Sequence, residues 1–139
     1  GFEMQLGTNH LGHFALTGLL VESMRPGGRV VTVSSNGHRF GRMTFDDLQS
    51  VQSYQKWRAY GQSKLANVLF ALELHRRAED AGVDLRSIAV HPGYAATNLQ
   101  SVGPQMSGSR IGVAKMSVVD RVLAQSAEAG AWPTLMAAT

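Results

Sequence analysis

The chain has no cysteine among its 139 residues. That excludes disulfides, thiolate metal sites and cysteine nucleophiles, and it fits a reducing compartment, so a cytoplasmic location is the expectation. No apolar run reaches membrane-spanning length, and no secretory signal pattern is present. A dense basic stripe is also missing. The net charge is +3, but Arg25, Arg29, Arg39, Arg42, Lys56 and Arg58 are scattered. The doublet Arg76–Arg77 falls near the end of a helical run, where cations suit the helix dipole. A nucleic-acid partner is therefore not expected. His10, His13, His38 and His91 show no metal-ligand spacing and read as core or surface histidines. The first residue is Gly1 rather than Met, inside what reads as a helix, which suggests a piece of a longer chain.

What remains is a chain with 44% hydrophobic residues, the balance of a folded protein, and enough length for one domain with a modest core. Residues 2 to 24 carry Phe2, Leu6, Phe14, Leu20 and Met24 at helical spacing, with Asn9, His10 and His13 close to the apolar face. The run stops at the breaker Arg25-Pro26-Gly27-Gly28. Residues 29 to 35, RVVTVSS, form a short β-branched run expected of a strand buried on both faces. Residues 36 to 53 lack a period and read as a long loop with a short turn near Asp46–Leu48. Helical spacing returns from about Trp57 to Ala81 through Leu65, Val68, Leu69 and Leu72, and Gly82 suits a C-cap. Residues 84 to 90, DLRSIAV, are a second buried-strand candidate, stopped by His91-Pro92-Gly93. Two helices are expected over about 113 to 125 and 126 to 139, with Pro133 in the early turns of the second or kinking it.

Buried-type strands alternating with helices predict a parallel sheet with helical crossovers. Ligands of such sheets sit beyond the carboxyl ends of the strands. Ser34–Ser35 and His91-Pro92-Gly93 occupy those exits.

Tyr60 and Lys64 stand four apart on the second helix and so share a face. A phenol with a pKa near 10 needs a shift of about three units, roughly 4 kcal/mol, to trade protons near neutrality. An ammonium about 5 Å away contributes roughly 3 kcal/mol at an effective dielectric of 20. A lysine at this spacing can therefore supply most of the shift. Each neighbouring feature also has a plain structural reading. Ser35 can be a turn or cap residue, Asn9 can bond backbone within its helix, and Pro92-Gly93 can be a strand stop.

Taken in order, TNHLGHF with Asn9, GRVVTVSS with Ser35, YGQSKLAN with Tyr60 and Lys64, and HPGYAAT with Pro92, Gly93 and Thr97 resemble the short-chain dehydrogenase/reductase family. The resemblance covers nearly the whole chain and is weakest over 100 to 125. The long loop from Asn36 to Ala59 and the stretch SKLANVLFALEL look most like the retinol-dehydrogenase-like branch. Protochlorophyllide reductases carry a similar stretch.

The resemblance implies a partial Rossmann-like α/β fold, a doubly wound parallel sheet with helical crossovers. It implies an NAD(P)-dependent oxidoreductase interconverting a carbonyl and an alcohol, with NADP slightly favoured over NAD. Tyr60 would be the acid/base. Lys64 would lower its pKa and hold the nicotinamide ribose. Ser35 would bond the substrate oxygen, and Asn9 would support the water that relays the proton. Thr97 and the backbone around Pro92 and Gly93 would orient the nicotinamide. Residues 94 to 125 would be a substrate lid, made apolar by Leu99, Val102, Met106, Ile111, Val113 and Met116, which can equally pack on the sheet. The family's habit also implies a homo-oligomer.

Other parts of the family pattern are missing. The sequence has no glycine-rich loop after a first strand, no residue to read the ribose 2′ position and no Asn-Asn-Ala-Gly stretch. Residues 1 to 139 therefore correspond to the catalytic half of a dehydrogenase domain, and alone are expected to be inert. The alternative is a non-catalytic binding or structural protein on a dehydrogenase-like scaffold.

Overall fold

The structure is a computed structural model, and it describes residues 1–93 and 126–139. It divides into two compact units, Gly1–His91 with Ala137–Thr139, and Pro92–Met136. The elements of the first unit run helix, strand, helix, strand, in the order the sequence predicts.

The first helical run begins at α1, Met4–Leu6. The Glu3 carboxylate caps it, accepting from the backbone N–H groups of Gln5 at 2.9 Å and Leu6 at 2.6 Å. The run then widens into a π-helical turn, Gly7–Leu11, before continuing as α2, Gly12–Leu20, and a 3₁₀ turn, Val21–Ser23. The sequence predicts one uninterrupted helix here. The wide turn is a departure from it, and such turns are common at functional sites.

The breaker that follows needs glycine. Gly27 has φ +77°, and its N–H donates to the Asp84 carbonyl, tying this turn to the start of the second strand. Strand β1, Gly28–Val33, lies parallel to β2, Leu85–Val90, in register from Gly28 opposite Leu85 to Val33 opposite Val90. The crossover between them is α3, Lys56–Asp80. It ends in a glycine cap. Gly82 has φ +64°, Val83 N–H reaches the Ala78 carbonyl and Gly82 N–H reaches that of Glu79. Arg76 and Arg77 in this last stretch bond Glu73, and Arg76 also bonds Asp80, so side-chain pairs as well as the dipole occupy them.

Two expectations shift. The strands are half-buried rather than enclosed on both faces, and Val33 is 42% exposed. Among the described residues, α3 is the one long helix packed on them. That helix also buries a different stripe from the one its leucines suggest. Leu69 and Leu72 are exposed, while Ala59, Gly61, Gln62, Ser63, Ala66, Asn67, Ala71 and Ala78 face inward. Small residues let α3 approach its neighbours closely. A Cβ added to Gly41 would stand 2.2 Å from the Gly61 carbonyl oxygen, so loop and helix meet glycine to glycine.

The long loop contains two 3₁₀ turns, Asn36–Arg39 and Phe45–Asp47. Buried Gln62 fastens it to α3, accepting from Thr44 N–H at 3.0 Å and donating to the Leu48 carbonyl at 2.9 Å. The last helix, α4, Ala127–Ala138, is capped by Ser126 Oγ, which accepts from Ala129 N–H at 3.1 Å, and it carries Pro133 inside it. The helix expected over 113 to 125, the lid at 94 to 125 and Thr97 lie outside the described residues.

Candidate active site

The site is built on the first three turns of α3. Tyr60 and Lys64 fall on one face as their spacing requires, and Lys64 Nζ stands 5.9 Å from the centroid of the Tyr60 ring. The ammonium donates to the carbonyl of Val33, the last residue of β1, at 3.3 Å. Burial holds the Lys64 pKa below the usual lysine value, because the charged form loses hydration.

Two serines join the exit of β1 to this helix. Ser34 is buried; its N–H continues the sheet ladder to Val90, and its Oγ donates to the Lys64 carbonyl at 2.8 Å. Ser35 is extended and caps the turn Asn36–Arg39, its Oγ accepting from Gly37 N–H at 3.1 Å. The cap occupies a lone pair on Oγ and leaves the hydroxyl proton to donate elsewhere. Gly37 of this turn lies against the Tyr60 ring. A Cβ placed on it would be 2.8 Å from Tyr60 Cε1. The turn that Ser35 caps is thus pressed onto the phenol ring.

Asn9 lies in the π-helical turn. Its Nδ2 donates to Ser63 Oγ at 3.0 Å, and Ser63 Oγ donates to the Tyr60 carbonyl at 2.8 Å. Asn9 therefore reaches the backbone of the helical turn that carries Tyr60. The bland reading of Asn9, a bond to backbone within its own helix, is not what its side chain does.

Val33 and Val90 are register partners, so the two strands end level, and His91, Pro92 and Gly93 follow Val90 in sequence. Pro92 and Gly93 belong to the second unit; Gly93 has φ +70°, a turn that favours glycine.

Sequence reasoning placed Ser34 at the strand exit without a role, and passed over Gly37, Gly41, Gly61, Ser63 and Asn67 as site residues. A signal was present for two of them. Ser63 and Asn67 stand three and seven residues after Tyr60, on the face it shares with Lys64.

The residues fit a dinucleotide at its nicotinamide end. An ammonium has three N–H donors, and among the described residues Lys64 spends one on protein, leaving two for vicinal hydroxyls of a ribose.

No protein-family model matches the chain. Individual proteins do. It is 50% identical over 101 residues to human retinol dehydrogenase 14, covering 71% of this chain and 30% of that protein. It is 41% identical over 138 residues to human retinol dehydrogenase 13, covering 96% of this chain and 40% of that protein. The short-chain dehydrogenase TIC 32 A of Brassica napus chloroplasts is 40% identical over 109 residues, 71% of this chain and 34% of that protein. A crystal structure of an uncharacterized protein from Mycobacterium paratuberculosis superposes with a TM-score of 0.74 at 45% identity, over 100% of this chain and 42% of that one. The chain thus spans 30 to 42% of the length of these relatives. Identities of this size extend over the same helix–strand–helix–strand order that carries Asn9, Ser35, Tyr60 and Lys64, and the chain belongs to the short-chain dehydrogenase/reductase family, in its retinol-dehydrogenase-like branch.

Proposed function

We propose that the protein interconverts a carbonyl and an alcohol with NAD or NADP, on an apolar substrate, using Tyr60 as the acid/base. The observation that carries this is the pairing of Tyr60 with a half-buried lysine at the exit of β1, with the Ser35 turn packed on the same phenol ring. The bound nicotinamide supplies the hydride.

This chain's own residues do the rest. In reduction, the Tyr60 hydroxyl gives its proton to the substrate oxygen as negative charge grows there; in oxidation it takes the alcohol proton back. Ser35 O–H donates to the same oxygen and stabilises that charge. Lys64 places a positive charge beside the phenol ring and holds the ribose with its spare N–H donors. Asn9, through Ser63, fixes the helical turn from which Tyr60 projects. The relatives' names specify retinol, a long apolar alcohol. That supports an isoprenoid-like or long aliphatic alcohol and its aldehyde as the substrate class.

The test is Tyr60→Phe in the full-length protein, which removes one hydroxyl. Carbonyl reduction should fall by at least 10²-fold, while NADH and NADPH titrations followed by nicotinamide fluorescence stay within twofold of wild type. Retention of most of the activity would overturn the assignment.

A further inference from the structure

We propose that Asn67 is a positioning residue for Lys64: it grips the Val33 carbonyl on which the ammonium is seated, and His10 fixes Asn67 from the other side. This rests on the reaction proposed above.

The Val33 oxygen ends β1 and accepts two donors, Lys64 Nζ at 3.3 Å and Asn67 Nδ2 at 3.0 Å. A carbonyl has two lone pairs, so the two bonds are compatible. Lys64 and Asn67 are one helical turn apart on α3 and converge on one strand atom. Among the described residues no carboxylate pairs with Lys64. The charge is held by a neutral acceptor, over a 3.3 Å bond, on a flexible stem. Whatever fixes that acceptor fixes the ammonium.

Asn67 is suited to do so. It is 2% exposed, and its orientation is forced. The Val33 oxygen can only accept, so the amide nitrogen must face it and Oδ1 must face away. Oδ1 lies 3.1 Å from His10 Nδ1. An amide oxygen also only accepts, so His10 carries its proton on Nδ1. The imidazole packs against Phe14 and Phe70, with ring centroids at 6.0 and 6.1 Å, and those two rings meet each other at 5.4 Å. Donors therefore run from His10 to Asn67 to the Val33 oxygen.

The same π-helical turn supplies both ends of the site. Asn9 bonds Ser63, which bonds the Tyr60 carbonyl, and His10 bonds Asn67, which holds the seat of Lys64. Two adjacent residues of one wide turn thereby set the phenol-bearing turn and the ammonium together. His10 and Tyr60 are the other titratable side chains in this network.

The experiment uses the full-length protein and four variants: Asn67→Leu, His10→Phe, His10→Gln and Tyr60→Phe. Asn67→Leu should lower kcat/KM about tenfold, and should move the ascending, acid-side limb of the oxidation pH–rate profile to higher pH as the ammonium leaves the phenol. In the cofactor-free protein with ¹³C-labelled lysine, the Lys64 ε-carbon resonance should sharpen as the side chain gains motion. His10→Phe should shift both readouts in the same direction by less. His10→Gln, whose amide can donate to Asn67 Oδ1, should restore them toward wild type. If Asn67→Leu does not fold, the His10 pair carries the test. An inactive Tyr60→Phe beside variants with an unshifted profile and an unchanged Lys64 resonance would overturn this inference alone. An active Tyr60→Phe would overturn the reaction itself, and the Lys64 resonance would still report whether Asn67 seats the ammonium.

Discussion

Gly37→Ala tests the geometry of the site without touching any polar group. The new Cβ would lie 2.8 Å from Tyr60 Cε1, 3.0 Å from Cδ1 and 3.5 Å from Phe40 Cζ. Carbon atoms in contact settle at about 3.5–4.0 Å, so the ring and the turn must separate by roughly 0.7 Å or more. Gly37 has no positive φ, so the penalty is steric and not conformational. Neither partner yields easily. Tyr60 sits between Ala59, 1% exposed, and Gly61, whose own added Cβ would meet Gly41 and the Phe40 ring at 3.0 Å. The turn is held by the Ser35 cap. A displacement near 1 Å at a reacting group costs on the order of 10²-fold in rate. A shift of this size should therefore cost about 10- to 100-fold in kcat, or about 1.4–2.7 kcal/mol of barrier. Overpacking should also remove about 1–3 kcal/mol of stability. Cofactor affinity should hold, because the seat of Lys64 on Val33 is untouched. Steady-state kinetics with thermal melts would measure both effects. A kcat within twofold of wild type together with an unchanged melting temperature would refute the seating of Tyr60 against Gly37.

Lys64→Met should lower kcat/KM by about 10²-fold and move the oxidation profile to higher pH, read from pH–rate curves. It should also change stability with a definite sign. Because burial depresses the Lys64 pKa, the unfolded chain binds this proton more tightly, and wild-type stability rises as pH climbs from the folded pKa to the ordinary lysine value of about 10.4. Melting temperatures from pH 7 to 10.5 should show that rise in wild type and a flatter curve in the Met variant. Gly18→Ala, in α2 with nothing within 4 Å of the new Cβ, should stabilise by about 0.5–1 kcal/mol in denaturant titrations and leave kcat unchanged. A panel of aldehydes of rising chain length should show kcat/KM increasing by up to about 0.8 kcal/mol per methylene, and a flat response would count against an apolar substrate.

The parts of this molecule legible in its sequence are those governed by local geometry. Tyr60 and Lys64 share a face because four residues on a helix always do. The crossover from β1 through α3 to β2 is legible because β-branched runs, the Pro26–Gly28 breaker and Gly82 are local signals. Contacts between elements were not legible. Helical spacing of Leu65, Val68, Leu69 and Leu72 announces a stripe, but not that Leu69 and Leu72 turn outward while alanines and polar residues turn in. The π-helical turn has no residue signature, and without it nothing aims Asn9 at Ser63. Gly37, Gly41 and Gly61 are permissive residues in sequence and become obligatory only where another element meets them. Ser35 was legible as either a cap or a donor, and its geometry leaves room for both roles.

The inward face of α3 explains why these groups can be placed so closely. Gln62, Ser63 and Asn67 are nearly inaccessible, and a buried polar group is costly unless it is bonded. Together they reach three elements: Gln62 bonds the loop at Thr44 and Leu48, Ser63 bonds Asn9 of the π-helical turn, and Asn67 bonds the end of β1 and His10 of that same turn. A helix held by leucines could slide or roll by a fraction of a turn at small cost, since apolar contact is not directional. A helix held by five side-chain bonds to three elements loses one or more of them on any such motion. The alanines between them let the backbones come near enough for short side chains to reach. The arrangement gives up apolar burial and gains register, and it fixes Tyr60 and Lys64, which lie within the same two turns.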